Sequence, residues 1–365
     1  MEVKTFAIAC GGTGGHLTPG IATAEELIAR GHKCILIVSQ KSIDKTICTH
    51  YPQIPFVQLP AVGFSWKIYT WPKFFWTLSR NFLKAFQLLR TLHVDAVIGL
   101  GGFTNTAIVL AAFLLKKPCF LHEANHVVGK AIRWLSPFAT RIYLPEGVFL
   151  KSTTEKKIAH LGFPLRKEIQ KLDKKACRKN LNLPLTQKLL VVLGGSQGAL
   201  VFNKWVLDNF SHLAANDVNV LCVTGVGKAP QHMLEHSYQD TSTTRLIFIP
   251  FSQDISTLLS AADLVTARAG AGTIAELSQC ETPSILVPYP HAAEQHQLAN
   301  AIVLEQQGGC LLLEQDQMYK LLNETIHLIN DTTTLHNMSV NLSKIRTDNT
   351  TKLFVNDIEK HLELR

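Results

Sequence analysis

Phe6-Ala7-Ile8-Ala9-Cys10-Gly11-Gly12-Thr13-Gly14-Gly15-His16 decides how the chain is read. The apolar run 6–10 suits a strand covered on both faces. Glycine fills four of the five positions 11–15, which permits positive φ and brings backbone N–H groups close to a ligand. Residues 18–28 are helix-forming, with Pro19 near their start. A helix N-terminus behind such a turn favours anions, phosphate above all. An imidazole at that positive end stays neutral and can accept a proton, which makes His16 a candidate base. A dinucleotide turn fits poorly. G-x-G-x-x-G needs glycine at 17, which is Leu17, and the second strand, 34–40, ends without an acid for a ribose 2′-hydroxyl. A purely structural tight turn remains the alternative.

A length of 365 residues points to two domains, and 46% hydrophobic content is ample for two cores. The net charge of +8 suits phosphorylated ligands or an anionic membrane surface. No Lys/Arg block and no aromatic-plus-basic RNA motif supports a nucleic-acid partner. The eight cysteines form no C-x-x-C pair, which argues for reduced cytosolic thiols rather than zinc or disulfides. Met1-Glu2-Val3-Lys4 leads into the first strand rather than a long apolar core, so no signal peptide is expected.

The chain keeps a βαβ rhythm, implying parallel sheets with helices on both faces. Residues 64–84 hold three tryptophans, four phenylalanines, a tyrosine, four cations and no acid. Trp66, Trp71, Phe74, Phe75 and Trp76 among cations suit a membrane interface with anionic head groups, and a packed helix with exposed cations is the alternative. Ala96-Val97-Ile98-Gly99-Leu100-Gly101-Gly102 repeats the strand-to-glycine pattern ahead of a buried helix over 106–115. Residues 119–125 form a strand ending in His122, Glu123 and Asn125, where ligands of such sheets bind, although these side chains could equally hold loop backbone. After a linker, 167–178 reads as a charged helix. Leu189-Leu190-Val191-Val192-Leu193-Gly194-Gly195-Ser196-Gln197-Gly198-Ala199 repeats the opening, so Ser196 and its neighbouring N–H groups are phosphate candidates. Residues 262–276 form a third strand–glycine–helix unit; Glu276 suits sugar hydroxyls, and helix capping is the alternative. A strand over 284–287, a loop, and a helix opened by His296-Gln297 follow. In the tail, Leu353, Val355, Ile358 and Leu362 have helical spacing and could pack on either domain.

Six motifs stand in one order: Gly11-Gly12-Thr13-Gly14-Gly15-His16, His122-Glu123-Ala124-Asn125, Gly162-Phe163-Pro164-Leu165-Arg166, Gly194-Gly195-Ser196-Gln197-Gly198-Ala199, Arg268-Ala269-Gly270-Ala271-Gly272-Thr273-Ile274-Ala275-Glu276 and His296-Gln297. In this the chain resembles, over nearly its whole length, the MurG family of peptidoglycan N-acetylglucosaminyltransferases. The resemblance implies an α/β GT-B fold: two Rossmann-like parallel-sheet domains facing across a cleft. They would be an acceptor and membrane-side domain at 1–163, with the helix near 344–365 packed back on it, and a UDP-N-acetylglucosamine-binding domain at 164–343. It implies inverting transfer of N-acetylglucosamine from UDP-N-acetylglucosamine to the 4-hydroxyl of undecaprenyl-pyrophosphoryl-MurNAc-pentapeptide. The product is the lipid-linked disaccharide used in cell-wall synthesis, shape and division. No cofactor or catalytic metal is implied, in line with the absence of a D-x-D motif. The expected location is peripheral, at the cytoplasmic face of the bacterial inner membrane. Anionic lipids and cell-wall synthesis proteins would be partners.

Carried over by motif, Glu276 would bind the uridine ribose, and Arg166 and Ser196 the diphosphate. Ala271, Gly272, Thr273, Ile274 and Ala275 would line the nucleotide, and Ser252 the uracil. Gln297 with His296 would read the sugar hydroxyls. Thr13, Gly14, Gly15 and Asn125 would face the reacting sugar, and Asn203 would support the site. His16 is the preferred base and Glu123 its rival. Ala124 and Phe103-Thr104-Asn105 depart from the family's usual residues, on the acceptor side. A relative using another acceptor, a UDP-N-acetylglucosamine epimerase and an inactive sugar-nucleotide-binding scaffold are the competing readings. An epimerase would not need the aromatic-basic segment, and a scaffold would not need all the polar site residues together.

Overall fold

Four consecutive buried residues leave β1 (Thr5–Ala9) no face for water, and the chain places it inside a sheet. It pairs in parallel with β2 (Lys33–Ser39) on one side and β4 (Ala96–Gly99) on the other. The computed structural model describes residues 2–11, 14–60, 69, 71–102, 104–151, 153–195, 198–228, 234–238 and 242–363. The chain divides into two compact units, residues 1–166 with 349–365, and residues 167–348.

The first unit is a seven-stranded sheet in the order β3-β2-β1-β4-β5-β6-β7. Its remaining strands are β3 (Phe56–Leu59), β5 (Cys119–His122), β6 (Arg141–Leu144) and β7 (Ile158–His160), and all pairings are parallel. The helices are α1 (Gly14–Ala29), α2 (Ser42–Thr49), α3 (Trp71–Thr91), α4 (Thr104–Leu114) and α5 (Lys130–Leu135). Alternate strand residues feed two cores. One holds Ala85 and Leu89 of α3 with Ile108 and Val109 of α4; the other holds Leu17, Ile21 and Leu27 of α1. The strand order reverses between β1 and β4, and in such sheets ligands bind beyond the carboxyl ends at that point.

A C-terminal helix (Thr350–Glu363) completes this unit. Phe354 packs edge-on against Tyr143, with centroids 4.6 Å apart, and against His122. Glu359 binds Arg30 at 2.6 Å and His32 at 3.0 Å, and Asp357 accepts from the Tyr143 hydroxyl at 2.9 Å. The buried face is Phe354, Val355 and Ile358, while Leu353 is exposed.

The second unit holds β8 (Lys188–Leu193), β9 (Val218–Val223), β10 (Leu234–Tyr238), β11 (Ser242–Ile249), β12 (Leu264–Ala267), β13 (Ser284–Leu286) and β14 (Cys310–Leu312). Their order is β10-β11-β9-β8-β12-β13-β14, with the reversal between β8 and β12. Its helices are α6 (Lys174–Asn180), α7 (Leu200–Ala214), α8 (Ile255–Ala261), α9 (Ala271–Cys280), α10 (His296–Gln306), α11 (Leu321–Asn330) and α12 (Thr332–Ile345).

Three local expectations change. The first helix begins at Gly14, so Pro19 lies inside it and His16 falls within its first turn. The Thr23 hydroxyl donates to the Pro19 carbonyl at 2.7 Å. The helix expected from 167 starts only at Lys174, because the Asp173 carboxylate caps it, accepting from the Ala176 N–H at 2.8 Å. The second sheet is not wholly parallel: β10 runs antiparallel to β11 at one edge.

The second unit is pinned by Asp263. Its carboxylate meets Arg178 and Lys174, each at 2.6 Å, and accepts the Leu189 N–H at 2.7 Å. Burial pushes its pKa up, but the two cations and the N–H outweigh burial and hold it below the ordinary 3.8. This stabilisation is complete above the unfolded-state value and is lost as pH falls through the lower folded value. Asp263→Asn should therefore cost about 3 kcal/mol at pH 7 by urea unfolding. The gap to the native chain should narrow below about pH 4.

Candidate active site

In the first unit the site is built where β1 and β4 end. A side chain at Gly11 would collide with the backbone of Ser39 and Val38, so only glycine lets the turn pass β2. Gly101 and Gly102 follow β4 with φ of 101° and 79°. His16, third residue of α1, lies against them: a Cβ on Gly101 would stand 2.8 Å from His16 Nε2, and one on Gly102 3.0 Å from the Gly11 carbonyl oxygen. The two glycine loops thus form one wall against the half-buried imidazole, beside the positive end of α1.

His122 and Glu123 end β5. His122 is buried and donates from Nε2 to the Gly162 carbonyl at 3.2 Å. Burial pushes its pKa down to about 4 against the pull of that carbonyl and of Glu123, and nearby His16 lowers it further. Glu123, also buried, accepts at Oε1 from the backbone N–H of Ala124 and Asn125 and from Asn125 Nδ2. Its Oε2 accepts from the Gly129 N–H at 2.8 Å. The carboxylate is thus the internal anchor of the 124–129 loop and orients Asn125. Arg166 closes the first unit and donates from Nη1 to the Tyr51 hydroxyl at 2.6 Å. Asn105, in the first turn of α4, is fully buried, and neither amide atom has a partner among the described residues.

In the second unit the corresponding loop follows β8. A side chain at Gly194 would strike the Ala199 nitrogen, and one at Gly198, where φ is 66°, the Thr224 carbonyl. Asn203 on α7 donates from Nδ2 to the carbonyls of Thr224 and Lys228, fixing the loop after β9. After β12, Gly270 is the N-cap of α9 and supplies no side-chain cap to the first-turn N–H groups. Residues 271–276 are all partly exposed. Glu276 is the sixth helical residue, past the capping turn, which removes capping as its explanation. Ser252 lies half-buried after exposed Phe251, ahead of α8.

The loop into α10 is strained. Glu294 and Gln295 both take left-handed φ, 52° and 54°, and His296 Nδ1 donates to the Ala293 carbonyl at 2.7 Å. Gln297 Oε1 accepts the Tyr289 N–H at 2.9 Å, which fixes which way its amide NH₂ points. Asn300, given no role by the sequence, donates to the Ala269 carbonyl and ties α10 to the turn before α9.

Thr13, Trp66 and Ser196 lie outside the described residues. Of the remaining aromatic set, Trp71, Phe75 and Trp76 are exposed on α3. Phe74 is a correction: it shares the inner face of α3 with Asn81, Ala85 and Leu89 and is buried, so it belongs to the core. Among the described residues no helix is long and apolar enough to cross a membrane, and no cluster of His, Cys, Asp and Glu could hold a metal ion.

Residues 6–144 match the glycosyltransferase family 28 N-terminal domain, and residues 189–359 match the family 28 C-terminal domain. The UDP-N-acetylglucosamine--N-acetylmuramyl-(pentapeptide) pyrophosphoryl-undecaprenol N-acetylglucosamine transferase of Opitutus terrae is 45% identical over 98% of this chain and 95% of its own length. The chain belongs to the MurG family of glycosyltransferases. The equally named protein of Natranaerobius thermophilus is 32% identical over 90% of this chain and 92% of its own. The crystal structure of Acinetobacter baumannii MurG shares the fold, with a TM-score of 0.73 and 23% identity, covering 98% of this chain and all of that one. Both MurG-family domains thus carry a glycine loop at the reversal of their strand order.

The wall behind His16 is testable. Gly101→Ala should push the imidazole aside and lower turnover by about 10²-fold, while UDP affinity, measured by calorimetry, stays at the native value. A UDP loss as large as the turnover loss would contradict this geometry.

Proposed function

We propose that this MurG-family glycosyltransferase moves N-acetylglucosamine from UDP-N-acetylglucosamine to the 4-hydroxyl of a lipid-linked MurNAc-pentapeptide, undecaprenyl-pyrophosphoryl in its lipid part. The observation that carries the reading is the 45% identity, across essentially the whole chain, to a transferase named for that reaction. The site chemistry agrees. In the second unit the uncapped first turn of α9 offers N–H groups to the donor diphosphate, the anion to which Ser196 is also assigned. Glu276, one turn further on, suits the two ribose hydroxyls, and Ser252 the uracil edge. Gln297, held by Tyr289, presents its NH₂ to sugar hydroxyls beside His296.

In the first unit His16 takes the proton of the attacking 4-hydroxyl. The imidazole lies in the first turn of α1, beside the glycines that follow β4. Glu123, committed to four N–H donors, orients Asn125 toward the reacting sugar. Thr13, Gly14 and Gly15 serve the same centre. As the hydroxyl oxygen attacks the anomeric carbon, the bond to the β-phosphate oxygen breaks and its electron pair leaves with UDP.

A lipid acceptor requires a membrane-facing surface. Exposed Trp71, Phe75, Trp76 and Leu83 on α3 stand among exposed Lys73, Arg80 and Lys84, a mixture suited to anionic head groups. Attachment is peripheral in this reading, at the cytoplasmic face of the inner membrane.

Two substitutions separate the roles. His16→Ala should lower turnover by about 10²–10⁴-fold with UDP affinity unchanged. Glu276→Ala should weaken UDP binding in calorimetry; native UDP affinity in that variant would refute the donor assignment.

A further inference from the structure

Arg268 follows the last residue of β12, at the strand-order reversal of the second unit. Its backbone N–H donates to the carbonyl of Leu193, the end of β8, and Gly270, the N-cap of α9, lies two residues on. The residue is 8% exposed. Nη1 donates to the Val287 and Pro288 carbonyls, each at 3.1 Å, and Nη2 to Gln315 Oε1 at 2.6 Å. The guanidinium carbon stands 4.7 Å from the ring centre of Phe202 and 5.4 Å from that of Tyr289. Every acceptor is a neutral oxygen, and both flanking groups are uncharged rings. Among the described residues no carboxylate pairs with this cation.

This contrasts with Arg178, also buried in the same unit, which is neutralised by Asp263. Burying an unpaired guanidinium is costly unless its charge is used. Here hydrogen bonds and ring faces fix the fork without cancelling its charge. The surplus sits just past the carboxyl end of β13, on the Val287 and Pro288 carbonyls, while the Arg268 backbone lies two residues before the N-cap of α9, and its charge has the same sign as the positive end of that helix.

We propose that Arg268 is the built-in counter-charge of the donor half-site: a positioning residue that attracts the nucleotide's diphosphate through the protein without touching it. The inference rests on the donor reading given above. In a low-dielectric floor a fixed charge acts over longer range than it would in water. It discriminates for charge, so UDP gains and uridine does not. It also favours transfer, because UDP acquires a further negative charge when the anomeric C–O bond breaks and the electron pair passes to the β-phosphate oxygen.

The test neutralises the cation while keeping its shape. Gln315→Glu sets a carboxylate against Nη2 in place of the amide oxygen. Arg268→Met removes the charge outright and serves as the second variant. UDP and uridine affinities are measured by calorimetry on the full chain, with uridine binding as the check that the nucleotide pocket is folded. The expected result is an approximately tenfold loss of UDP affinity in both variants with uridine affinity unchanged. An unchanged UDP-to-uridine ratio in Gln315→Glu would overturn the proposal, as would equal loss of both ligands, which would mark Arg268 as a merely structural fork. A native chain that binds no UDP would instead overturn the donor reading on which the proposal stands.

Discussion

Backbone-to-backbone contact at the ends of two strands governs the rest of the structure. After β1 the chain passes so close to β2 that Gly11 can carry no side chain, and after β8 it passes so close to the β9 loop that Gly198 can carry none. These approaches turn the chain within a few residues and let a helix begin directly over the sheet. They also place the helix N-termini at the points where strand order reverses, which is where an open α/β sheet leaves room for a ligand. Any Cβ at these glycines would force the turn outward and displace the helix behind it.

Two electrostatic regimes follow from this geometry. In the first unit, His16 stands in the first turn of α1 against Gly101 and Gly102, with the buried His122 held uncharged nearby. In the second unit, the uncapped start of α9 and the unneutralised guanidinium of Arg268 combine into a fixed positive field, suited to a nucleotide diphosphate. Supporting groups recur in both. Glu123 holds the 124–129 loop, Asn203 the 224–228 loop and Asn300 the turn before α9, each by accepting from or donating to backbone.

The strand–glycine–helix units were readable in the sequence because the signal is local: an apolar run, consecutive glycines, then helix formers within about twenty residues. What depended on distant partners was not. Nothing near Arg268 announces that it will bond to Val287, Pro288 and Gln315. Nothing in the 119–125 stretch shows that the Glu123 carboxylate reaches Gly129. Phe74 and Phe75 are adjacent and chemically alike, and only the helical phase fixed by Asn81, Ala85 and Leu89 sends one inward and the other out. The tail's helical spacing was visible, but its docking on Tyr143, His122 and Arg30 required tertiary contacts spanning most of the chain. Asp173 is legible in the other direction: a capping residue inside a charged run sets the helix start at Lys174, seven residues past the point where that run begins.

The most direct measurement is transfer of radiolabelled N-acetylglucosamine from UDP-N-acetylglucosamine to a lipid-linked MurNAc-pentapeptide, with a chelator present. Label is expected in the lipid fraction, dependent on the acceptor and unaffected by the chelator. Consumption of the donor at the same rate without acceptor, with no labelled lipid, would contradict it and favour an epimerase or hydrolase on the same fold.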